Sequence, residues 1–314
     1  MAAANGWKPK PAMKRHWRGG DLLLCSNTCP PQPPMIPVAW TDRQRALAML
    51  DIHAEGPIFL QSNLRHHGLA GKDPRSLRMW RTEDWRGFVG LTNNHVLLPQ
   101  MRDAGDADWA GLKAALAGHR VAGMNGASAQ IARIREALHI SDTATILDRE
   151  EPCFRLELVD LVLPESAGFT LRRLTPNDRR VLCEWRAAYR VEILGDRPEM
   201  AAEGAAGEVD EWLRTDSHRL LWQGGHPVSL AGINASLPGL VQVGGVYTPP
   251  RLRGRGLARR AVAKLLADHR DRGITRAMLF AASNDAARAY RAIGFLPAGR
   301  MRIVIHENPV EIGT

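Results

Sequence analysis

The chain is poor in lysine and cysteine and has no long apolar run, and each shortage narrows what it can be. Only six of its 42 basic residues are lysines, so arginine supplies almost all of the net charge of +9. Such a bias can reflect genome composition, and no helix-turn-helix, zinc-finger or RNA-recognition signature accompanies it. The uncharged residues 227–250 are broken by glycines and prolines, as paired strands are, and do not predict a membrane span. We therefore expect neither nucleic acid nor a membrane as a partner.

The four cysteines give no basis for a metal site. Cys25 and Cys29 have no second cysteine pair and no nearby histidine pair to complete four zinc ligands. His66 and His67 are adjacent, and adjacent histidines seldom reach one metal from a single stretch of backbone, so a packing or hydrogen-bonding role is expected. Sparse cysteine favours a reducing compartment, and we expect a cytoplasmic protein without a metal.

Two common phosphate-binding motifs are also missing. No run matches the P-loop pattern G-x-x-x-x-G-K-[ST]. The dinucleotide fingerprint G-x-G-x-x-G/A begins at Gly254 and Gly256 but meets Arg259 at its third position, where a bulky residue would obstruct close helix–strand packing.

The sequence does contain a strand, a loop and a helix within residues 241–267. Alternate valines favour a strand up to Pro249 and Pro250, which cannot donate ladder hydrogen bonds. A Gly/Arg loop follows at residues 251–256, and apolar residues then recur at helical spacing from Ala258. The loop therefore lies at a helix N-terminus, where free backbone N–H groups and the helix dipole favour an anionic phosphate. A plain basic surface loop is the alternative.

Two motifs in this half resemble those of a known family. Arg251, Gly254 and Gly256, after a V-x-x-P strand end, resemble the pyrophosphate loop of the GNAT superfamily of N-acetyltransferases. The stretch from Asn284 through Tyr290 to Gly294-Phe295 is similar to the family's second signature, N-x-x-A-x-x-x-Y-x-x-x-G-F. The order and spacing of the two motifs agree with the family. Residues 251–276 carry a net charge of +7, from nine basic residues and two aspartates, which suits the phosphates of coenzyme A.

The resemblance implies a mixed α/β fold, acetyl-CoA as co-substrate and a site along this strand, loop and helix. The implied cofactor-binding residues are Val246, Tyr247, Thr248, Arg251, Arg253, Gly254, Arg255, Gly256, Leu257, Ala258 and Asn284. Backbone at residues 246–248 would pair with the pantetheine arm, and backbone N–H groups at residues 253–258 would hold the pyrophosphate. Asn284 would bond the pantetheine or stabilise its loop.

The resemblance also implies that the acetyl group is transferred directly to a primary amine in a ternary complex. Tyr290 matches the position of the family's general acid, which returns a proton to the leaving thiolate; a packing role in the core is its alternative. Residues 241–248 contain no acid, whereas many relatives carry a glutamate on this strand. A water wire, Tyr247, Glu184 and Glu211 remain open as the base. The gap keeps a non-catalytic acetyl-CoA-binding regulatory module as the alternative function.

Composition divides the chain into three parts. Residues 1–40, basic and then proline-rich, are predicted to be a disordered leader. Residues 167–314 form the GNAT-like domain, with the element order βααβββαβαβ. Residues 41–166 are predicted to be a degenerate GNAT-like copy, so that the fold is tandem and of the bacterial two-part type. In that copy, residues 57–60 and 154–163 are predicted strands, and the strand, turn and helix at 121–138 a worn copy of the phosphate loop. The acceptor, a small molecule or peptide amine, has no readable code, and a monomer or homodimer is expected.

Overall fold

Alternating apolar residues and glycine turns build one continuous sheet of twelve strands. A computed structural model describes residues 35–52 and 58–313. The strands are β1 (Ile36–Pro37), β2 (Leu77–Arg81), β3 (Phe88–Thr92), β4 (Val96–Gln100), β5 (Arg120–Ala127), β6 (Thr145–Glu157), β7 (Phe169–Arg173), β8 (His218–Gln223), β9 (His226–Leu237), β10 (Leu240–Tyr247), β11 (Arg276–Phe280) and β12 (Leu296–Glu311). Their order across the sheet is β1-β2-β3-β4-β5-β12-β6-β11-β10-β9-β8-β7. Because the sheet is unbroken, the elements of residues 35–52 and 58–313 share one framework.

Within the described residues, eight α-helices pack on this sheet. They are α1 (Arg43–Ile52), α2 (Phe59–His66), α3 (Asp106–Leu116), α4 (Ser128–Leu138), α5 (Arg179–Tyr189), α6 (Pro198–Thr215), α7 (Leu257–Asp271) and α8 (Asn284–Arg291). A π-helical turn, Arg190–Leu194, follows α5. In the part of the chain that the structure describes, no helix is both long and apolar enough to cross a membrane.

A repeated unit appears in both halves. Strands β4 and β5 are parallel and flank α3 in the chain, as β10 and β11 are parallel and flank α7. Each unit then continues with a helix and a long strand, α4 and β6 in the first half and α8 and β12 in the second. This repeat agrees with the predicted tandem organisation, which remains a prediction about how the halves are related.

The last strands of the two units are exchanged. β6, from the first half, pairs antiparallel with β11 of the second half, and β12 pairs antiparallel with β5 of the first. The exchanged strands also pair with each other at the centre of the sheet. Phe154 and Leu156 of β6 are buried in the core formed by α7, α8 and β10, and Val304 of β12 is buried in the core formed by α3, α4 and β5. Each half therefore completes the core of the other, although residues 166 and 167 were predicted to separate two domains.

Several local predictions need correction. Of the strand predicted at residues 57–60, Pro57 lies outside the described residues, and the rest is not a strand, because α2 begins at Phe59 and buries Leu60 and Leu64, which are spaced four residues apart on one helical face. The strand predicted at 154–163 is β6, which begins earlier, at Thr145. The prediction placed the worn copy of the phosphate loop between β5 and α4. In the repeat, however, β5 and α4 correspond to β11 and α8. The counterpart of the loop that joins β10 to α7 therefore lies at residues 101–105, between β4 and α3.

The N-terminal boundary also shifts. Residues 35–40 were predicted to belong to the leader, but Ile36–Pro37 pairs with β2, and Met35 and Val38 are buried. Apolar side chains within a proline-rich stretch can still cover a sheet edge, which is why composition alone misplaced the boundary. Cys25, Cys29 and the rest of the predicted leader up to residue 34 lie outside the described residues.

Candidate active site

The candidate site opens where β10 and β11 diverge. These parallel strands pair only at Leu240, Val241 and Gln242. Beyond Gln242 the pairing of β10 with β9 shifts register, and Gly245 adopts a left-handed conformation with φ 60°. Such a bulge bends one strand away from its neighbour. The edge of β10 that faces β11 is thereby left available to a ligand over residues 243–248.

The predicted phosphate loop closes the end of this edge. Pro250–Leu252 forms a 3₁₀ turn, Gly254 and Gly256 have φ of 77° and 68°, and α7 begins at Leu257. Both glycines are needed here, since side chains rarely adopt these angles. A Cβ at Gly254 would meet nothing within 4 Å, so the space beside it is open. The loop therefore presents backbone to the surface at the N-terminus of a 15-residue helix.

The arginines of the loop differ in what they contact. Arg251 and Arg255 are exposed. The Arg253 guanidinium makes two 2.7 Å hydrogen bonds to Glu192, in the π-helical turn, and donates to the Thr248 carbonyl at 2.9 Å. That hydrogen bonding holds the pKa of the Glu192 carboxyl below its usual value. Arg251 and Arg255 thus supply the exposed positive charge, while Arg253 ties the loop to the turn after α5.

The strand end is fixed from its other side. The Ser229 hydroxyl, on β9, donates to the Tyr247 carbonyl at 3.1 Å and lies 2.9 Å from the Thr248 hydroxyl oxygen. The Tyr247 ring is buried against Trp185 and Tyr189 of α5. Val246 is half-buried and packs against the core. These contacts hold residues 246–248 extended, as backbone pairing with a ligand would require.

Tyr290 lies on the buried face of α8. Its ring packs 6.1 Å from that of Phe295, and 6% of the residue is exposed. Burial raises the pKa of Tyr290 well above its usual value, and Tyr189 and Glu151 raise it further. Tyr189 lies at the end of α5 and Glu151 in β6, so groups from both halves of the chain contribute to this shift. Asn284 is exposed at the start of α8, where the Ser283 hydroxyl accepts a hydrogen bond from the Ala286 N–H at 3.2 Å.

The residues considered as the base do not converge here. Glu184 is exposed on α5 and pairs with Arg180, and Glu211 pairs with Arg75 at 2.7 Å. Burial raises the pKa of Tyr247, so its phenol stays protonated and is poorly suited to accept a proton.

A buried carboxylate that the sequence analysis did not single out lies beside the divergence of β10 and β11. Glu151, on the exchanged strand β6, is 5% exposed and lines a cavity of about 200 Å³ beside the divergence of β10 and β11. The polar residues of this cavity are Asn125, Arg149, Glu151, Arg186, Asn234 and Gln242. The sequence signal that could have found Glu151 is its place in a strand, but nothing local indicates that this strand joins the other half.

No metal-binding cluster of His, Cys, Asp or Glu is found among residues 35–52 and 58–313. His66 and His67 make separate contacts: the His66 ring nitrogen Nδ1 lies 2.9 Å from the Ser62 carbonyl, and His67 lies 3.2 Å from Asp73. The hydrogen-bonding role expected for this pair is confirmed.

Comparisons with known proteins give a family match and a shared fold. Residues 182–295 match the acetyltransferase (GNAT) family. No curated protein sequence matches the chain. Among solved structures, a Drosophila protein is 14% identical, with a TM-score of 0.61, over 87% of this chain and 98% of its own. A GCN5-related N-acetyltransferase from Sphaerobacter thermophilus is 18% identical, with a TM-score of 0.55, over 89% and 96%. A GNAT-family acetyltransferase from Colwellia psychrerythraea is 12% identical, with a TM-score of 0.51, over 87% and 99%. At these identities the structures show a shared fold.

Proposed function

We propose that this chain, whose residues 182–295 match the acetyltransferase (GNAT) family, is an acyltransferase that transfers an acetyl group from acetyl-CoA to a primary amine in a ternary complex. The observation that carries the proposal is the open edge of β10, which runs without interruption into the glycine loop at the N-terminus of α7. An extended ligand with a phosphate end fits a strand edge followed by free N–H groups.

Binding would follow from backbone rather than side chains. The amides and carbonyls of residues 246–248 would pair with the pantetheine arm as with an added strand, and one of these amides would polarise the thioester carbonyl. The N–H groups of residues 253–258 would hold the pyrophosphate, with Arg251 and Arg255 adding exposed positive charge. Asn284, exposed at the start of α8, would contact the pantetheine or brace its loop.

Tyr290 would complete the transfer as a proton donor. The amine nitrogen attacks the thioester carbon, the C–N bond forms and the C–S bond breaks. The Tyr290 phenol is protonated at neutral pH, since an ordinary phenol titrates only near pH 10 and burial raises the pKa of Tyr290 further, and it would donate that proton to the departing sulfur. Acetyl-CoA and unpaired thiols at Cys153 and Cys183 both fit a reducing cytoplasm.

The absence of a carboxylate from β10 supports a second candidate, a module that binds acetyl-CoA and regulates without turnover. The two candidates differ in one measurement, the release of CoA from acetyl-CoA when amines are added. Binding of acetyl-CoA with no release for any amine would favour the regulatory module.

Calorimetric titration of acetyl-CoA into wild type, Gly254→Glu and Gly273→Glu tests the binding site. Both glycines have a positive φ, and a Cβ at either meets nothing within 4 Å, so the two substitutions impose similar backbone strain. Gly254 lies in the phosphate loop and Gly273 beyond the other end of α7. We expect Gly254→Glu to weaken binding by at least about a hundredfold, since it puts a negative charge beside the pyrophosphate. Gly273→Glu should bind as wild type does, and equal binding by all three proteins would place the cofactor elsewhere.

A further inference from the structure

Because β6 and β12 are exchanged, a carboxylate of the N-terminal half lines the cleft beside β10 and β11 of the C-terminal half. β6, the last strand of the first half, pairs with β11 of the second half. Arg149 and Glu151 line the cleft, whereas Glu150, between them, is directed to the opposite face because side chains alternate along a strand. β10 itself has no acid. The carboxylate that lines this cleft therefore comes from the N-terminal half.

Glu151 is held in place and almost removed from solvent. Arg149 lies 2.5 Å from its carboxylate, and Arg149 in turn donates to the Ile193 carbonyl at 3.0 Å. On the far side of the cavity, Arg186 lies over the rings of Tyr189 and Trp212. A buried carboxylate with one cationic partner retains lone pairs that can accept further hydrogen bonds. A ligand ammonium fits that position.

The same cavity contains polar groups without partners. Gln242 is 1% exposed, and neither its amide nitrogen nor its amide oxygen is hydrogen-bonded within the described part of the chain. The side-chain oxygen of Asn125 is buried and unpartnered in the same way. A buried polar group left without a partner costs about 1–3 kcal/mol, so groups of this kind are normally satisfied by something. Three unpaired donors and acceptors that line one cavity indicate a polar occupant.

We propose that this cavity is the acceptor site, and that it takes a compact primary amine with a hydroxyl or amide group beside the nitrogen. Glu151 binds the ammonium and takes its proton, and Gln242 and Asn125 bind the neighbouring polar group. The inference rests on the proposed acetyl transfer. A cavity of about 200 Å³ admits a small free amine more readily than a folded protein surface.

The protons balance along this route. The acceptor enters as an ammonium with three N–H protons, and Glu151 takes one as the nitrogen becomes a free amine. The amine forms the C–N bond, the C–S bond breaks, and the sulfur takes a proton from Tyr290. The second proton of the nitrogen restores the tyrosine hydroxyl, the amide keeps the third, and Glu151 releases the first to solvent.

The test compares Glu151→Gln with Glu150→Gln, using CoA release with ethanolamine, glycinamide and propylamine. Each substitution removes one carboxylate of β6 that pairs with an arginine, but only Glu151 faces the cavity. We expect Glu151→Gln to lower kcat by about a hundredfold, while acetyl-CoA affinity and Tm stay near those of wild type. Glu150→Gln should match wild type in all three. Wild type should use ethanolamine and glycinamide at least about tenfold better than propylamine, which has a similar size.

Gln242→Leu gives a second reading, with the exposed Gln223→Leu as its control. Gln242→Leu should remove most of the preference for polar amines, and Gln223→Leu should keep it.

Unchanged turnover by Glu151→Gln, or loss of acetyl-CoA binding together with turnover, would overturn the role of Glu151 alone. Equal use of propylamine by wild type would overturn the acceptor class. If wild type binds acetyl-CoA and acetylates no amine, the proposed function and this inference both fall. If Glu151→Gln does not fold, the amine preference of Gln242→Leu decides whether the cavity is the acceptor site.

Discussion

At the scale of single residues, Tyr290 has both a packing explanation, through its ring, and a catalytic one, through its hydroxyl. Its ring is part of the core with Ala287, Ile293 and Phe295, which by itself explains an aromatic residue at this position. A phenylalanine would fill the same space. The hydroxyl is what packing does not require, and its electrostatic coupling to Tyr189 and Glu151 directs attention to the cleft.

We predict that Tyr290→Phe lowers kcat by at least about a hundredfold and leaves acetyl-CoA affinity unchanged. The reason is that the departing thiolate loses its proton donor while the binding surface keeps its shape. Amine-dependent CoA release gives kcat, and calorimetry gives the affinity. Wild-type turnover by the variant would mean that Tyr290 serves the core alone.

His218 gives a prediction about stability and pH. It is 2% exposed, stacks on Trp212 with ring centroids 4.0 Å apart, and its Nε2 has no partner among the described residues. Burial, then Arg186 and Arg219, lowers its pKa to about 3. Unfolding restores a pKa of about 6.5, so the unfolded chain binds this proton first as the pH falls. The contribution of neutral His218 to stability is complete above pH 6.5 and is lost progressively toward pH 3.

We therefore predict that His218→Gln flattens the acid side of the stability profile. Between pH 7 and pH 5 the wild type should lose about 2 kcal/mol of unfolding free energy through this group, and the variant should not. Urea unfolding at the two pH values measures the difference. His226→Gln, an exposed histidine on the same hairpin, should keep the wild-type slope. Parallel slopes for all three proteins would contradict the prediction.

At the scale of elements, local signals predicted what local forces determine. The end of β10, the glycine loop and α7 were predictable because Pro249, the two left-handed glycines and the helical apolar face each act within a few residues. The hairpin of β8 and β9 was predictable from Gly224-Gly225 for the same reason. α2 was not, because a short apolar run does not distinguish a strand from one face of a helix.

Local signals did not predict which strands pair with each other. Nothing between Thr145 and Glu157 specifies whether β6 should pair with its own half or with β11, since ladder hydrogen bonds are the same for any partner. The choice depends on the cores, where Phe154 fits under α7 and α8. Glu151 was missed because the predicted strand began only at Phe154 and because nothing local placed that strand beside β11; its residue type carries no signal of its own.

At the scale of the whole molecule, the exchange makes the two halves interdependent. Without β6, the edge of β11 would lose its partner, and without β12 the same would happen to β5. An unpaired inner edge is both unstable and prone to associate with other chains. The proposed acceptor site has the same dependence, since its cavity draws Asn125, Arg149 and Glu151 from the first half and Gln242 from the second. Association of the halves is then a condition for activity and not only for stability.

The last prediction follows from this interlocking. A protease site inserted after Leu163, which is exposed in the segment between β6 and β7, would allow the chain to be cut without touching either exchanged strand. We expect the two fragments to elute together in size-exclusion chromatography, to bind acetyl-CoA as the uncut protein does, and to separate only in denaturant. The reason is that each fragment contributes a central strand to the core of the other, so dissociation would break three strand pairings, β5 with β12, β12 with β6 and β6 with β11, and expose both cores at once. Residues 167–314 produced alone should aggregate. Fragments that separate under native conditions, with the C-terminal one still soluble and able to bind acetyl-CoA, would show that each half folds independently and that the exchanged pairing is dispensable.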